Sequence, residues 1–321
     1  MRVVVTVLLC LVLVATACGD GGDVESQAVS ATTAPAKSTP AGEDDPLVTC
    51  PSGPGAGVSD AMIEAPDGLT RQYAVDVPEQ RDLPSPLVVD LYLLGGSVDL
   101  QLDLDRWSEV ADAEGIVVVY PEATNLPDGG PTFWYSSPEP AADPDGADDV
   151  GFIATLIDEL VDTACIDADR VHLIGTSLGA NMASLVACRR PDLVASVVTV
   201  GGITPATGTC AGERQAPLLH IHGDLDPISD HAATHSDVET WAAERGCEPS
   251  PPVEQVTDQL RREDFVGCTA DVTFLTIVGH GHLRPGDPPD VFDEARFGPT
   301  TQDVIAADLA WEWFDRHVRT R

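Results

Sequence analysis

The residues Gly175-Thr176-Ser177-Leu178-Gly179 have the types and spacing of a chemical site. Two small residues flank a serine between an apolar, strand-like run (RVHLIG) and a helix-like run. In that setting a G-x-S-x-G motif forms a sharp turn that lifts the serine hydroxyl out of the sheet and sets it at a helix N-terminus. The amide of Leu178 is then aimed where an oxyanion would form. A serine hydroxyl is a weak nucleophile and needs a base, itself oriented by an acid. In the strand–turn–helix fold that this motif marks, the acid and then the histidine are expected on loops after later strands. The sequence supplies Gly223-Asp224-Leu225-Asp226-Pro227 after one apolar run and Gly279-His280-Gly281-His282 after another. Asp226 is assigned as the orienting acid and His282 as the base, with Asp224 and His280 as rivals at each place. The ordinary role for Asp224 is to stabilise its turn through side-chain to backbone hydrogen bonds.

The His-x-His pairs at 220/222 and 280/282 are not read as a metal centre. Neither cysteines nor acids accompany them at ligand spacing. His172, His220 and His222 lie in or beside strands and are expected to be packed or hydrogen-bonded. No cofactor is implied.

These residues must be positioned by regular elements. Strands are expected over Gln72–Val77, the run LVVDLYLL after Pro86, Ile116–Tyr120, Arg170–Gly175, Val194–Val200, Leu218–His222 and Val272–Val278. Helices are expected over Asp103–Glu114, Asp148–Cys165, Leu178–Arg190, His231–Arg245 and Thr300–Val318. A long Pro- and Gly-rich loop falls before Asp148. Alternation of strands and helices predicts an α/β fold: a mostly parallel central sheet with helices on both faces and chemistry at the carboxyl ends of the strands. No internal repeat is present.

The chain has 321 residues, 17 Lys+Arg and 53 Asp+Glu, for a formal net charge of -36. Lys37 is the sole lysine. Such a field disfavours nucleic acid, anionic lipid surfaces and strongly anionic substrates. The N-terminal run Val3–Val14 is too short to span a bilayer comfortably but suits an export signal over residues 1–17. It ends in Ala15-Thr16-Ala17-Cys18-Gly19, which resembles the lipobox of bacterial lipoproteins. That resemblance implies lipidation of Cys18 and a membrane tether. Residues 18–46 read as the lipidated cysteine with a flexible spacer, and 47–321 as the catalytic domain. Six further cysteines, Cys50, Cys165, Cys188, Cys210, Cys247 and Cys268, read as three disulfides in an oxidising compartment. Cys247–Cys268 is the most plausible local pair, closing a Pro-rich excursion between a helix and a strand. Oligomeric state is not legible.

Several segments together resemble the poly(3-hydroxybutyrate) depolymerase-like and feruloyl esterase branch of the α/β-hydrolases. They are RQYAVDVP, RWSEVADAEGIVVVYPEA, DDVGFIATLIDEL, CIDADRVHLIGTSLGANMASLVACRRPDL, HIHGDLDPI and GHGHLRPG. The resemblance implies the α/β-hydrolase fold and ester hydrolysis through Ser177, Asp226 and His282. It also places a second oxyanion amide on Leu94. There the family has His-Gly followed by a third residue, whereas this chain has Tyr92-Leu93-Leu94. Leu283-Arg284 replaces the family's Thr-Trp after the catalytic histidine. Trp134, Tyr135 and Arg284 are the expected walls of the substrate cleft, with packing of the loop as the other role for the two aromatics. Polyhydroxyalkanoate, feruloyl, acetyl or short acyl esters are the implied substrates. The alternative is a catalytically weak surface lipoprotein that binds a polymer or partner with the same cleft.

Overall fold

The computed structural model describes residues 53–319, except 105, 127–128, 138–145, 205–209, 211–213 and 250. The chain divides into Met1–Val48 and Thr49–Arg321. The expected export signal, Cys18, the spacer and Cys50 lie outside the described residues.

The elements in chain order are β1 (Gly57–Glu64), β2 (Thr70–Val77), β3 (Ser85–Leu91), α1 (Val98–Leu104), α2 (Trp107–Glu114), β4 (Val117–Pro121), β5 (Thr124–Asn125) and β6 (Thr132–Phe133). Then follow α3 (Asp149–Thr163), β7 (Ile166–Thr176), α4 (Leu178–Arg189), β8 (Ser196–Val200), β9 (Leu218–Gly223) and α5 (His231–Glu244). The last are β10 (Val253–Thr257), β11 (Leu260–Phe265), β12 (Val272–Ile277), α6 (Glu294–Phe297) and α7 (Ala306–Phe314).

Ten strands form one sheet in the order β1-β2-β4-β3-β7-β8-β9-β12-β11-β10. The six from β4 to β12 run parallel, and antiparallel pairs extend both edges. β3, β4 and β8 are buried along their whole length, as central strands covered on both faces must be. On one side α3 packs on α4, and both meet β7; on the other α2 packs on α7, which meets β7 and β8. The ring of Phe314 in α7 stacks between Trp107 and His172, fixing that layer to the sheet. His172 also bonds Ser196 Oγ at 2.9 Å, so it is packed and paired as expected. Asp148 caps α3 by accepting from the Gly151 amide at 2.9 Å, and Asp230 caps α5 by accepting from Ala233.

Some elements differ from the sequence expectations. The single helix expected over Asp103–Glu114 is two helices, α1 and α2, with Arg106 between them at φ 55°. The final helix starts at Ala306 instead of Thr300. The Pro-rich excursion before β12 is an antiparallel hairpin, β10–β11, that extends the sheet. Cys247–Cys268 closes this hairpin, and Cys188 pairs with Cys210. Cys165 is disulfide-bonded as well.

Candidate active site

The turn between β7 and α4 is built by its glycines. A Cβ on Gly179 would sit 2.1 Å from the Leu91 carbonyl oxygen, and one on Gly175 would sit 2.2 Å from that of Gly179. Only a bare backbone lets the helix start pass so close to β3 and β7. Ser177 itself adopts φ 54°, ψ -117°. A non-glycine residue there costs about 1–3 kcal/mol, which the surrounding hydrogen bonds must offset. Its amide donates to the Val200 carbonyl at 2.8 Å, and its carbonyl accepts from the Asn181 amide.

Three side chains then meet across long sequence separations. His282 Nε2 lies 2.8 Å from Ser177 Oγ, and His282 Nδ1 lies 2.7 Å from Asp226 Oδ2. A carboxylate only accepts, so Nδ1 carries the proton and Nε2 is the bare acceptor for the serine hydroxyl. The other oxygen of Asp226 accepts from the amides of Ile228 and Ser229 at 2.7 and 2.9 Å. Burial alone would raise Asp226. The hydrogen bond and charge of His282 together with the two amides outweigh it and hold the carboxyl below its ordinary value.

The rivals take other positions. Asp224 accepts from the Gly279 amide at 2.6 Å and ties the acid loop to the loop after β12. His280 accepts at Nδ1 from the Thr301 amide, so its Nε2 donates to the Leu283 carbonyl at 2.8 Å. Both of its nitrogens are used within the scaffold of this loop. Backbone bonds from Gly281 to Pro299, His282 to Phe297 and Gly286 to Thr301 bracket the same loop. The Phe297 ring lies parallel to that of His282, with centroids 6.3 Å apart.

Leu94 sits in the turn after β3, half exposed, and neither its amide nor that of Leu178 has an acceptor among the described residues. The turn is braced from below. Trp134 Nε1 donates to the Tyr92 carbonyl at 3.0 Å, the Ala123 amide donates to the Tyr92 hydroxyl at 2.7 Å, and the Gly95 amide donates to Thr132.

Two of the expected cleft residues need correction. Trp134 is fully buried against Tyr92, so it packs and props the turn instead of forming an open wall. Arg284 turns inward. Its guanidinium holds both oxygens of Asp90 on β3, and its Nε donates to Thr176 Oγ1, beside the nucleophile position. Gln101 Nε2 adds a bond to Asp90 at 3.0 Å. A buried carboxylate on a central strand demands a cation, and Arg284 is the one it finds. Asp90 and Thr176 therefore belong to the support of the site, though sequence reasoning gave them no role. The signal was the lone acid in the run LVVDLYLL. Tyr135 stays partly exposed, with its amide on Asp149 at 2.7 Å and its ring edge-on to Phe133.

Residues 72–234 match the sequence profile of the family described as esterase PHB depolymerase. The chain is 31% identical over 296 residues to the putative esterase NocK of Nocardia uniformis subsp. tsuyamanensis, covering 79% of this chain and 83% of that protein. It is 26% identical to a probable feruloyl esterase C of Aspergillus niger, covering 81% of this chain and 90% of the relative. Among solved structures, the acetyl xylan esterase from Aspergillus awamori superposes with a TM-score of 0.60 at 16% identity, covering 80% of this chain and 99% of the other. A dienelactone hydrolase-like promiscuous phosphotriesterase gives a TM-score of 0.59 at 17% identity, with 82% and 100% covered. At these identities the structures speak to the fold, which is that of the α/β-hydrolases. The chain belongs to the esterase PHB depolymerase family and is a carboxylic ester hydrolase.

Proposed function

We propose that the chain is a serine esterase working through Ser177, His282 and Asp226. The observation that carries this reading is the unbroken line from Asp226 Oδ2 through the two nitrogens of His282 to Ser177 Oγ, at 2.7 and 2.8 Å. Ser177 Oγ attacks the ester carbonyl carbon while His282 Nε2 takes its proton. Asp226 holds the imidazole in its Nδ1–H tautomer and stabilises the imidazolium. The amides of Leu178 and Leu94 receive the oxyanion. The proton passes to the departing alkoxide, leaving an acyl-enzyme. Water, deprotonated by His282, then releases the acid.

The substrate is a neutral or weakly charged ester, since a chain carrying -36 formal charges repels anions. Polyhydroxyalkanoate oligomers, feruloyl or acetyl groups on polysaccharide and short acyl esters fit this limit. The similarity to a probable feruloyl esterase supports the feruloyl class. The protein acts outside the cytoplasm, tethered through Cys18. The disulfides among the described cysteines and the export-like N-terminus support that placement. Fatty-acid label that survives Cys18→Ser would overturn the tether.

A fluorophosphonate probe tests the chemistry. The expected result is an adduct on Ser177, absent in Ser177→Ala, with hydrolysis of p-nitrophenyl acetate, methyl ferulate or hydroxybutyrate oligomers. Folded protein that takes no label would refute the enzyme mechanism and favour a polymer-binding role for the cleft.

A further inference from the structure

Behind Asp226 a row of buried polar groups runs into the sheet. Thr199 Oγ1 on β8 lies 2.7 Å from His220 Nδ1 on β9. His220 Nε2 lies 3.0 Å from His222 Nδ1. His222 Nε2 lies 3.0 Å from the Ser229 carbonyl oxygen and 3.4 Å from Asp226 Oδ2. Both imidazoles are essentially shielded from water.

The direction of every bond follows from the far end. The Ser229 carbonyl can only accept, so His222 Nε2 carries a proton. Burial keeps His222 neutral, lowering its pKa from the usual histidine range, so its Nδ1 is bare. That nitrogen must accept from His220 Nε2–H. His220, held neutral by burial and by His222 beside it, then has a bare Nδ1 that accepts the Thr199 hydroxyl proton. All the donors therefore point the same way, toward Asp226. The last N–H donates to the Ser229 carbonyl, and the same nitrogen lies 3.4 Å from the carboxylate oxygen that receives His282 Nδ1–H. Phe274 of β12 stacks on His220 and His222, and His231 of α5 packs edge-on to His222, so the rings cannot rotate away.

We infer that His222 is a positioning residue for the esterase reaction: with its tautomer fixed by His220 and Thr199, it holds the Asp226 carboxylate at the angle that orients His282. This rests on the triad reading above. A carboxylate fixed only by the amides of Ile228 and Ser229 is clamped through one oxygen. His222 holds the Ser229 carbonyl, and with it the residue whose amide clamps Asp226, while its ring packs 3.4 Å from the other oxygen, the one that touches the base. Misplacement of a base by a fraction of an ångström is felt in the chemical step more than in substrate binding.

The test compares His222→Phe, which keeps a ring but no donor, with His222→Gln, whose amide nitrogen reaches the place of Nε2. Each is assayed on p-nitrophenyl acetate with circular dichroism as the check on folding. The expected result for His222→Phe is a kcat about tenfold lower with KM unchanged, and for His222→Gln a recovery to within about threefold of wild type. A folded His222→Phe with wild-type kcat overturns the proposal, as does a His222→Gln no better than His222→Phe. If His222→Phe does not fold, Thr199→Val decides, because it removes only the hydroxyl that fixes the far end. A kcat about twofold or more below wild type supports the chain, and wild-type kcat overturns it. Fluorophosphonate labelling of the wild-type protein separates the two ideas. Labelling with indifferent His222 variants leaves the triad and removes His222; no labelling removes both.

Discussion

Replacing Arg284 by methionine separates a cleft residue from a buried brace. The side chain bonds both oxygens of Asp90 and the hydroxyl of Thr176, and the pair is almost wholly buried. Among the described residues, Arg284→Met leaves Asp90 with the Gln101 amide at 3.0 Å as its remaining side-chain donor. Removing one partner of a buried pair costs about 3–5 kcal/mol, because the other charge stays without compensation. The surviving Gln101 bond places the cost near the lower end, about 3 kcal/mol. Against a total of about 5–15 kcal/mol, that is a large fraction of the stability. Asp90→Asn removes the carboxylate that the guanidinium grips with two nitrogens and costs about as much. The double variant removes both members of the pair and loses only about 1–2 kcal/mol, so the energies fail to add by several kcal/mol. Urea unfolding followed by tryptophan fluorescence measures all three, with an unchanged slope as the check that the unfolded state is the same. KM stays at the wild-type value, since the guanidinium faces the core. An Arg284→Met protein of undiminished stability and raised KM would refute the brace and restore Arg284 to the cleft wall. Additive energies would refute the pairing.

Three further outcomes follow from the site. Trp134→Phe removes the Nε1 bond to the Tyr92 carbonyl while keeping most of the ring, and frees the turn that carries Leu94; steady-state kinetics should show kcat about tenfold lower with KM little changed. Asp287 is buried, and burial raises its pKa to about 7 despite the lowering effect of Arg284. The folded state therefore holds this proton more tightly than the unfolded one, and stability from this group falls as pH rises from the ordinary carboxyl range through 7. Asp287→Asn should match wild type near pH 4 and exceed it by about 1–3 kcal/mol at pH 8 in denaturant unfolding, and equal stability at both would contradict the shift. Replacing Cys247 and Cys268 by serine opens a loop whose ends are 21 residues apart, at a cost of about 3 kcal/mol in thermal or urea unfolding, while the triad distances stay intact because the hairpin lies at the sheet edge.

The meeting of Ser177, Asp226 and His282 was foreseeable because each sits in a short loop directly after an apolar run. Strand ends mark the catalytic edge of a parallel sheet, so chain order and loop position sufficed. Asp226 and Asp224 could not be told apart by spacing; what separates them is which carboxyl faces His282 and which ties down Gly279. β1 and β10 escaped notice because they are edge strands with mostly exposed side chains and no apolar alternation. The break between α1 and α2 is a backbone event at Arg106, invisible in a continuous helical pattern. The last helix starts late because Thr301, within the expected range, spends its backbone on the base loop: its amide donates to His280 Nδ1 and its carbonyl accepts from Gly286. Arg284 was misplaced because its partner lies 194 residues away in sequence, and no local pattern reports such a pairing.

The bracket around the base loop has a consequence in time. A ribosome delivers the chain from its N-terminus, and His282 emerges 105 residues after Ser177. The acid loop already holds Gly279 and His280, but the amides of Gly281, His282 and Gly286 wait for Pro299, Phe297 and Thr301. The site proposed above is therefore complete only once the chain as far as Thr301 is in place.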